Sequence, residues 1–147
     1  GTLVLLLGVG TAGAVTAAVV FLLAHALYKG ALFMVAGAVE YETGTRDVRE
    51  LGGLRRAMPV TAAAAVLAGL ALVGFGPFLS FIGKEALFEA VWADPDMGAG
   101  LVPAAVVAGA LFVVVAGLVA WKPFFGPPRP ALASAHEAPA GLWLGPV

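Results

Sequence analysis

Cysteine is absent from this chain of 147 residues, so disulfides, iron–sulfur clusters and thiolate zinc sites held by the protein itself are excluded. Charge is scarce as well. Charged residues make up 12% of the sequence, against about 25% in soluble domains. The formal net charge is −1 and no basic run occurs, which leaves nothing for a nucleic acid to bind. Neither an initiator methionine nor a basic n-region precedes the first apolar run, so no signal peptide is read. The chain starts inside one hydrophobic segment and stops at the start of another, Gly141–Val147, and a fragment of a larger domain is expected.

What the sequence has is apolar length. Hydrophobic residues reach 61%, the mean hydropathy is +1.01, and an integral membrane protein is expected. The stretch Phe21–Gly37, FLLAHALYKGALFMVAG, sets a histidine and a lysine in the middle of an apolar helix. The surrounding Ala14–Ala38 gives about 25 residues without proline, or ~37 Å at ~1.5 Å per residue, enough for a hydrocarbon core of ~30 Å. His25 and Lys29 are spaced i, i+4 and share one helical face. A lysine at the centre of a spanning helix costs roughly 2.5–3.5 kcal/mol on insertion scales, so that face is expected to meet a partner or a watery cavity. The bland alternative is a lysine snorkelling to a helix end.

Gly8-Val9-Gly10-Thr11-Ala12-Gly13 fits G-x-G-x-x-G, a dinucleotide fingerprint when it follows a strand, with Glu40 downstream as a ribose ligand. The helix after it is apolar all round until Lys29, whereas a Rossmann helix shows one face to water. We therefore read residues 1–9 as the end of one membrane helix, followed by a glycine turn and the start of the next, with no nucleotide site.

Residues 40–57, EYETGTRDVRELGGLRRA, hold most of the soluble character and read as a solvated loop. Residues 58–93 follow. As a straight helix they would reach ~54 Å, too long for one crossing, and Gly74-Phe75-Gly76-Pro77 supplies a break near 74–80. Pro77 removes a backbone donor, and Gly74 and Gly76 lower helical propensity. Irregular backbone at membrane depth is tolerated only where it is buried or lines a cavity, and in transporters it marks ion and substrate sites. Lys84 sits just after this break; the bland reading is a re-entrant kink with Lys84 and Glu85 at an interface. A further span is expected over 101–121, ending in the Trp121-Lys122-Pro123 anchor. Residues 122–140 form a proline-rich connector, whose His136 and Glu137 have no second histidine nearby with which to hold a metal. The loops 40–57 and 122–140 carry the basic residues and are expected to be cytoplasmic, with 94–100 on the other side.

Three titratable groups are thus embedded in apolar helices: His25, Lys29 and Lys84. Burial disfavours charged lysine and histidine, and such groups exchange protons when a neighbouring charge changes. That suits a proton relay. Ser80 has no histidine nearby in sequence for nucleophilic chemistry, and no cofactor pocket is indicated.

Four words of the sequence carry a family resemblance: HALYKGALFM (25–34), ETGTRDVRELGGL (42–54), GPFLSFIGKEALF (76–88) and AHEAPAGLWLGP (135–146). Together the chain resembles the antiporter-type subunits shared by respiratory complex I and multisubunit cation/proton antiporters, the second and fourth words most closely the A-type subunits of the Mrp sodium/proton antiporters. The resemblance implies an all-α, polytopic transmembrane helix bundle with one discontinuous helix, part of a larger proton-conducting domain. It also implies a multi-pass protein of a bacterial inner membrane, partnered by the other subunits of a hetero-oligomeric complex and coupling protons to Na⁺ or K⁺, with no cofactor and no enzymatic activity of its own. His25 and Lys29 match the histidine and lysine of the family's central hydrophilic axis, and Lys84 the lysine of its second broken helix. Phe21 stands where complex I subunits often carry another histidine, and Gly76-Pro77 replaces the usual double proline. The first broken helix and its glutamate–lysine pair have no counterpart here; they are expected upstream, so these residues alone are not expected to transport. Two other readings stay open: a proton-pumping subunit of NADH:quinone oxidoreductase, and a non-transporting scaffold in which the lysines serve helix contacts.

Overall fold

The computed structural model describes residues 2–92, 98–132, 134–139 and 141, and among these every regular element is helical. Helix α1 spans Thr2–Val9 and α2 spans Ala12–Thr43. The glycine run before α2 therefore joins two helices, with the Thr11 hydroxyl accepting the Ala14 amide at 3.2 Å as an N-cap. With no proline to interrupt it, α2 continues for 32 residues, about 48 Å at ~1.5 Å per residue. Residues 40–43, read from composition as loop, are its last turn; there the Thr43 hydroxyl bonds back to the Val39 carbonyl at 2.7 Å.

Helix α3 spans Pro59–Val73, α4 Leu79–Trp92 and α5 Gly98–Ala116. A π-helical stretch, Gly117–Trp121, continues α5 into a final turn, α6, Lys122–Phe125. Ala12–Thr43 and Val102–Phe125 are each long and apolar enough to cross a membrane. At 15 and 14 residues, α3 and α4 are each about 22 Å long and fall short of a ~30 Å core alone. Of the loop expected at 94–100, residues 94–97 lie outside the described residues and 98–100 open α5. The apolar segment beginning at Gly141 and most of the word at 135–146 beyond Pro139 also lie outside them.

The chain folds as two compact units, residues 1–27 with 70–114 and residues 28–69 with 115–147. The first is built on Leu6, Ala14, Ala17, Phe21 and Leu87. The second is built on Val39, Leu51, Leu54, Met58 and Phe124. Small residues set its helix spacing: Ala62 and Ala65 are buried on α3, and a Cβ on Gly69 would stand 2.8 Å from that of Ala120, so α3 and the π-helical stretch approach as closely as side chains allow. In the same unit the loop after α2 lies against the connector. Gly53, at φ 73°, has no room for a side chain, since a Cβ would meet Pro128 Cα at 2.6 Å. Arg129 donates to the Arg49 carbonyl at 2.9 Å.

Large apolar side chains remain on the outside, among them Val4, Leu27, Phe33 and Leu111. Apolar surface spread over successive helices is what a lipid-facing or subunit-facing protein presents.

Candidate functional site

The site grows from the way α3 ends. Gly74 adopts φ 87°, a left-handed conformation that glycine reaches without Cβ strain. The Phe75 amide then bonds the Leu70 carbonyl at 3.0 Å and the Gly74 amide the Ala71 carbonyl at 3.1 Å, the paired bonds of a Schellman terminus. That leaves the carbonyls of Leu72 and Val73, the last two of the helix, without a backbone donor. Lys84, in the second turn of α4, supplies it: Nζ donates to Leu72 O at 2.9 Å and to Val73 O at 2.5 Å. A cation at a helix C-terminus also meets the negative end of the helix dipole.

An aromatic ring among the described residues also meets Lys84. Its ammonium sits 5.0 Å from the centroid of the Phe112 ring on α5, within cation–π range. Among the described residues no carboxylate forms an ion pair with it. The side chain borders a cavity of about 250 Å³ lined mainly by apolar groups, including Phe21, Leu87, Phe88 and Phe112. Ser80, one turn before Lys84, is buried, and its hydroxyl has no hydrogen-bond partner.

Helix α2 approaches this region at Phe21, where a Cβ on Gly83 would lie 3.3 Å from Phe21 Cα. The Phe21 ring lies 5.8 Å from that of the half-buried His25. Phe21 thus touches the first candidate group and lines the cavity of the third. Lys29, in the other unit, is exposed on this chain, its ammonium 5.9 Å from the Phe33 ring. Of the residues marked for the helix break, Gly74 carries the positive φ and the Lys84 contact. Gly76 and Pro77 lie in the turn that follows, and a Cβ at Gly76 would meet nothing within 4 Å.

Phe112 and Ser80 are absent from the sequence reading of the site. Ser80 had a usable signal, its i, i+4 spacing to Lys84. Phe112 had none, because α5 is apolar on every side and no face stands out.

Outside the apolar helices, the loop 44–58 is tied by its own charges. Asp47 accepts the Arg49 side chain at 2.7 Å and the Arg49 amide at 2.9 Å. The guanidinium bond, then the amide bond, hold the Asp47 carboxyl down at about 2, and Asp47 in turn raises Arg49.

Residues 1–112 match the family described as NADH:quinone oxidoreductase/Mrp antiporter, TM. The chain belongs to this family. The NADH:quinone oxidoreductase/Mrp antiporter family is a membrane family, in keeping with the two long apolar helices. Among curated relatives, the chain is 34% identical to the A-type subunit of a Na⁺/H⁺ antiporter of Alkalihalophilus pseudofirmus, over 100% of this chain and 21% of the relative. It is 39% identical to an A1-type Na⁺/H⁺ antiporter subunit of Staphylococcus haemolyticus, over 90% of this chain and 18% of the relative. The A1-type counterpart of Staphylococcus aureus is 36% identical over 92% of this chain and 18% of the relative. The chain spans about a fifth of the length of these relatives.

Proposed function

We propose that these residues form part of the proton-conducting membrane domain of a multisubunit Na⁺ or K⁺/proton antiporter, with His25, Lys29 and Lys84 as proton-exchanging groups. In this reading α3 and α4 are the two halves of one discontinuous spanning helix in a polytopic bundle. The loops 40–57 and 122–140 are cytoplasmic, the membrane is a bacterial inner membrane, and the partners are the other subunits of the complex.

The observation that carries the reading is Lys84 at the gap between α3 and α4. Its ammonium lies on two carbonyls and an aromatic face beside a cavity, with no fixed counter-ion among the described residues. A lysine locked into a salt bridge is held charged by its partner. One held by neutral acceptors can release its proton by turning away from them into the cavity. The antiporter names of the relatives favour this reading over a subunit of NADH:quinone oxidoreductase, which shares the family.

The test is cation-dependent proton flux in vesicles holding the full-length complex. Lys84→Ala is expected to reduce flux at least ~10-fold while assembly is unchanged, since one proton-transfer step commonly contributes roughly 10²–10⁴-fold. Normal flux in Lys84→Ala would return the lysine to a helix-capping role.

A further inference from the structure

The word AHEAP, at 135–139, takes no part in the chemistry around Lys84, yet it places an imidazole on a buried carboxylate. We propose that Glu42 and His136 form a second proton-exchanging site, through which protons pass between bulk water and the interior at the end of α2. Such a site rests on the antiporter reading.

Glu42 lies on the last turn of α2. Its side chain is only 5% exposed, whereas that of His136 is 77% exposed, and Glu42 Oε2 lies 2.9 Å from His136 Nδ1. The His136 amide also points at Oε2, at 3.5 Å. The other oxygen, Oε1, is buried and has no hydrogen-bond partner. A buried carboxylate with one orphaned oxygen is costly while charged. It is relieved in two ways, by an imidazolium beside it or by a proton on the carboxyl itself. These two states differ by one proton moved across the 2.9 Å contact.

With Glu42 ionised and His136 neutral, Nδ1–H donates to Oε2 and Nε2 holds a lone pair. An acid in water protonates Nε2; the resulting imidazolium passes its Nδ1 proton to Oε2. Glu42 is then a carboxylic acid and His136 is neutral again with its proton on Nε2, so one proton has entered. The reverse sequence releases it. Imidazole is suited to this because each ring nitrogen donates or accepts and because it exchanges protons in the physiological range.

Several other charged groups of the same loop and connector are engaged elsewhere. Glu40 pairs with Arg46 at 2.7 Å and Asp47 with Arg49 at 2.7 Å. Glu50 accepts the Thr45 hydroxyl at 2.7 Å, and Arg129 donates to the Arg49 carbonyl at 2.9 Å. The Glu137 carboxylate is turned onto the first amides of α3, and only its backbone carbonyl faces His136 Nδ1, at 3.4 Å. Glu42 is thus the carboxylate that His136 serves. The orphaned Oε1 leaves the ionised carboxylate short of partners, a cost that a proton on the carboxyl reduces.

The experiment uses the full-length complex in vesicles, with proton flux followed from about pH 5 to 9, a range that brackets ordinary imidazole exchange. Glu42→Gln and His136→Ala are each expected to lower flux ~10-fold at the alkaline end, where protons are scarce, and less at the acid end. The double variant should be no slower than the slower single, because the pair acts as one unit. Free imidazole added to the medium should restore flux in His136→Ala, whose site opens to water, and not in Glu42→Gln. Thr61→Ala loosens the same connector without touching the pair and should leave the profile unchanged. Unaltered flux in both pair variants, or a loss at every pH that imidazole does not relieve and Thr61→Ala reproduces, overturns the proposal. Flux that is absent from the wild-type complex instead overturns the antiporter reading, and flux that persists in Lys84→Ala overturns the role of Lys84 without touching the Glu42–His136 pair.

Discussion

Lys84 lies against the very glycine that ends α3. A Cβ on Gly74 would stand 2.8 Å from Lys84 Cδ and 3.2 Å from Nζ. The same residue therefore does two things: its φ of 87° closes the helix and its bare Cα leaves the channel in which the lysine lies.

Gly74→Ala tests that double use. An alanine at positive φ costs about 1–2 kcal/mol, and its methyl forces Lys84 Cδ aside, so the ammonium leaves the carbonyls of Leu72 and Val73. Assembly should survive a cost of that size. Cation-dependent proton flux should fall at least ~10-fold, a factor equal to about 1.4 kcal/mol. Gly76→Ala, whose Cβ meets nothing within 4 Å, should keep flux within about twofold, the scale of a roughly ±0.5 kcal/mol surface substitution. Equal flux in both variants would remove Gly74 from the placement of Lys84.

The helical class and the apolar spans were legible in composition and run length, as was the interruption near Gly74, because glycine and proline act locally. Which glycine carries the left-handed turn was not. Gly74 and Gly76 look alike in sequence, and the choice is made by bonds from Phe75 and Gly74 back to Leu70 and Ala71. The π-helical stretch at 117–121 left no mark either, since it meets Gly69, far away in sequence. Long-range pairs were the least legible. His136 and Glu137 read only as part of a proline-rich connector, with no partner assigned, until the fold set them on Glu42, Val60 and Thr61. Nor did spacing reveal that Lys84 would reach back to the end of α3, because periodicity gives a residue's face and not its reach.

Glu137 makes a separate prediction about stability. Its carboxylate accepts the amides of Val60 at 2.8 Å and Thr61 at 3.2 Å, together with the Thr61 hydroxyl. It thereby caps the positive end of α3 from the connector, where Pro59 itself offers no donor. Loss of such a cap costs ~1 kcal/mol, within a range of about 0.5–2. In Glu137→Ala, amide hydrogen exchange at Val60 and Thr61 should quicken by roughly 5-fold, the rate equivalent of ~1 kcal/mol. Glu137→Gln retains one acceptor oxygen and should fall between. Unchanged exchange in Glu137→Ala would show that the cap does not hold this turn.

The loop after α2 carries the pH prediction. Asp47 is held down at about 2, first by the Arg49 guanidinium and then by its amide. A lowered carboxylate contributes stability that is complete above its unfolded value, ~3.9, and that is lost as pH falls through the folded one. The loop should therefore keep its Asp47–Arg49 pair through about pH 4 and lose it only near pH 2. Isotope-edited infrared titration of the carboxylate band in the complex follows this directly. Arg49→Ala should move the Asp47 midpoint up toward the ordinary aspartate value; a midpoint unmoved by that change would assign the shift elsewhere.

The last prediction separates relay from scaffold on α2. His25 and Lys29 lie one turn apart on the same helix, the first half-buried and 5.8 Å from the Phe21 ring, the second exposed and 5.9 Å from that of Phe33. If Lys29 only anchors a neighbouring helix or protein, arginine should serve, because it keeps the charge and packs on aromatic rings at least as well. If Lys29 must give up its proton, arginine should fail, because guanidinium does not release one in a protein. His25 adds a second readout. Imidazole is the side chain whose ordinary exchange lies nearest neutrality, and a charge on one group disfavours a like charge on another a turn away. Removing His25 should thus move the pH profile of transport and not merely scale it. Proton flux against pH, measured at matched assembly in vesicles holding wild-type, His25→Ala and Lys29→Arg complexes, gives both answers. The relay expects Lys29→Arg to lose at least ~10-fold, below the roughly 10²–10⁴-fold of one proton-transfer step because alternative paths contribute, and His25→Ala to be slower with a displaced optimum. Wild-type flux in Lys29→Arg together with an unmoved profile in His25→Ala would leave these two residues as packing groups.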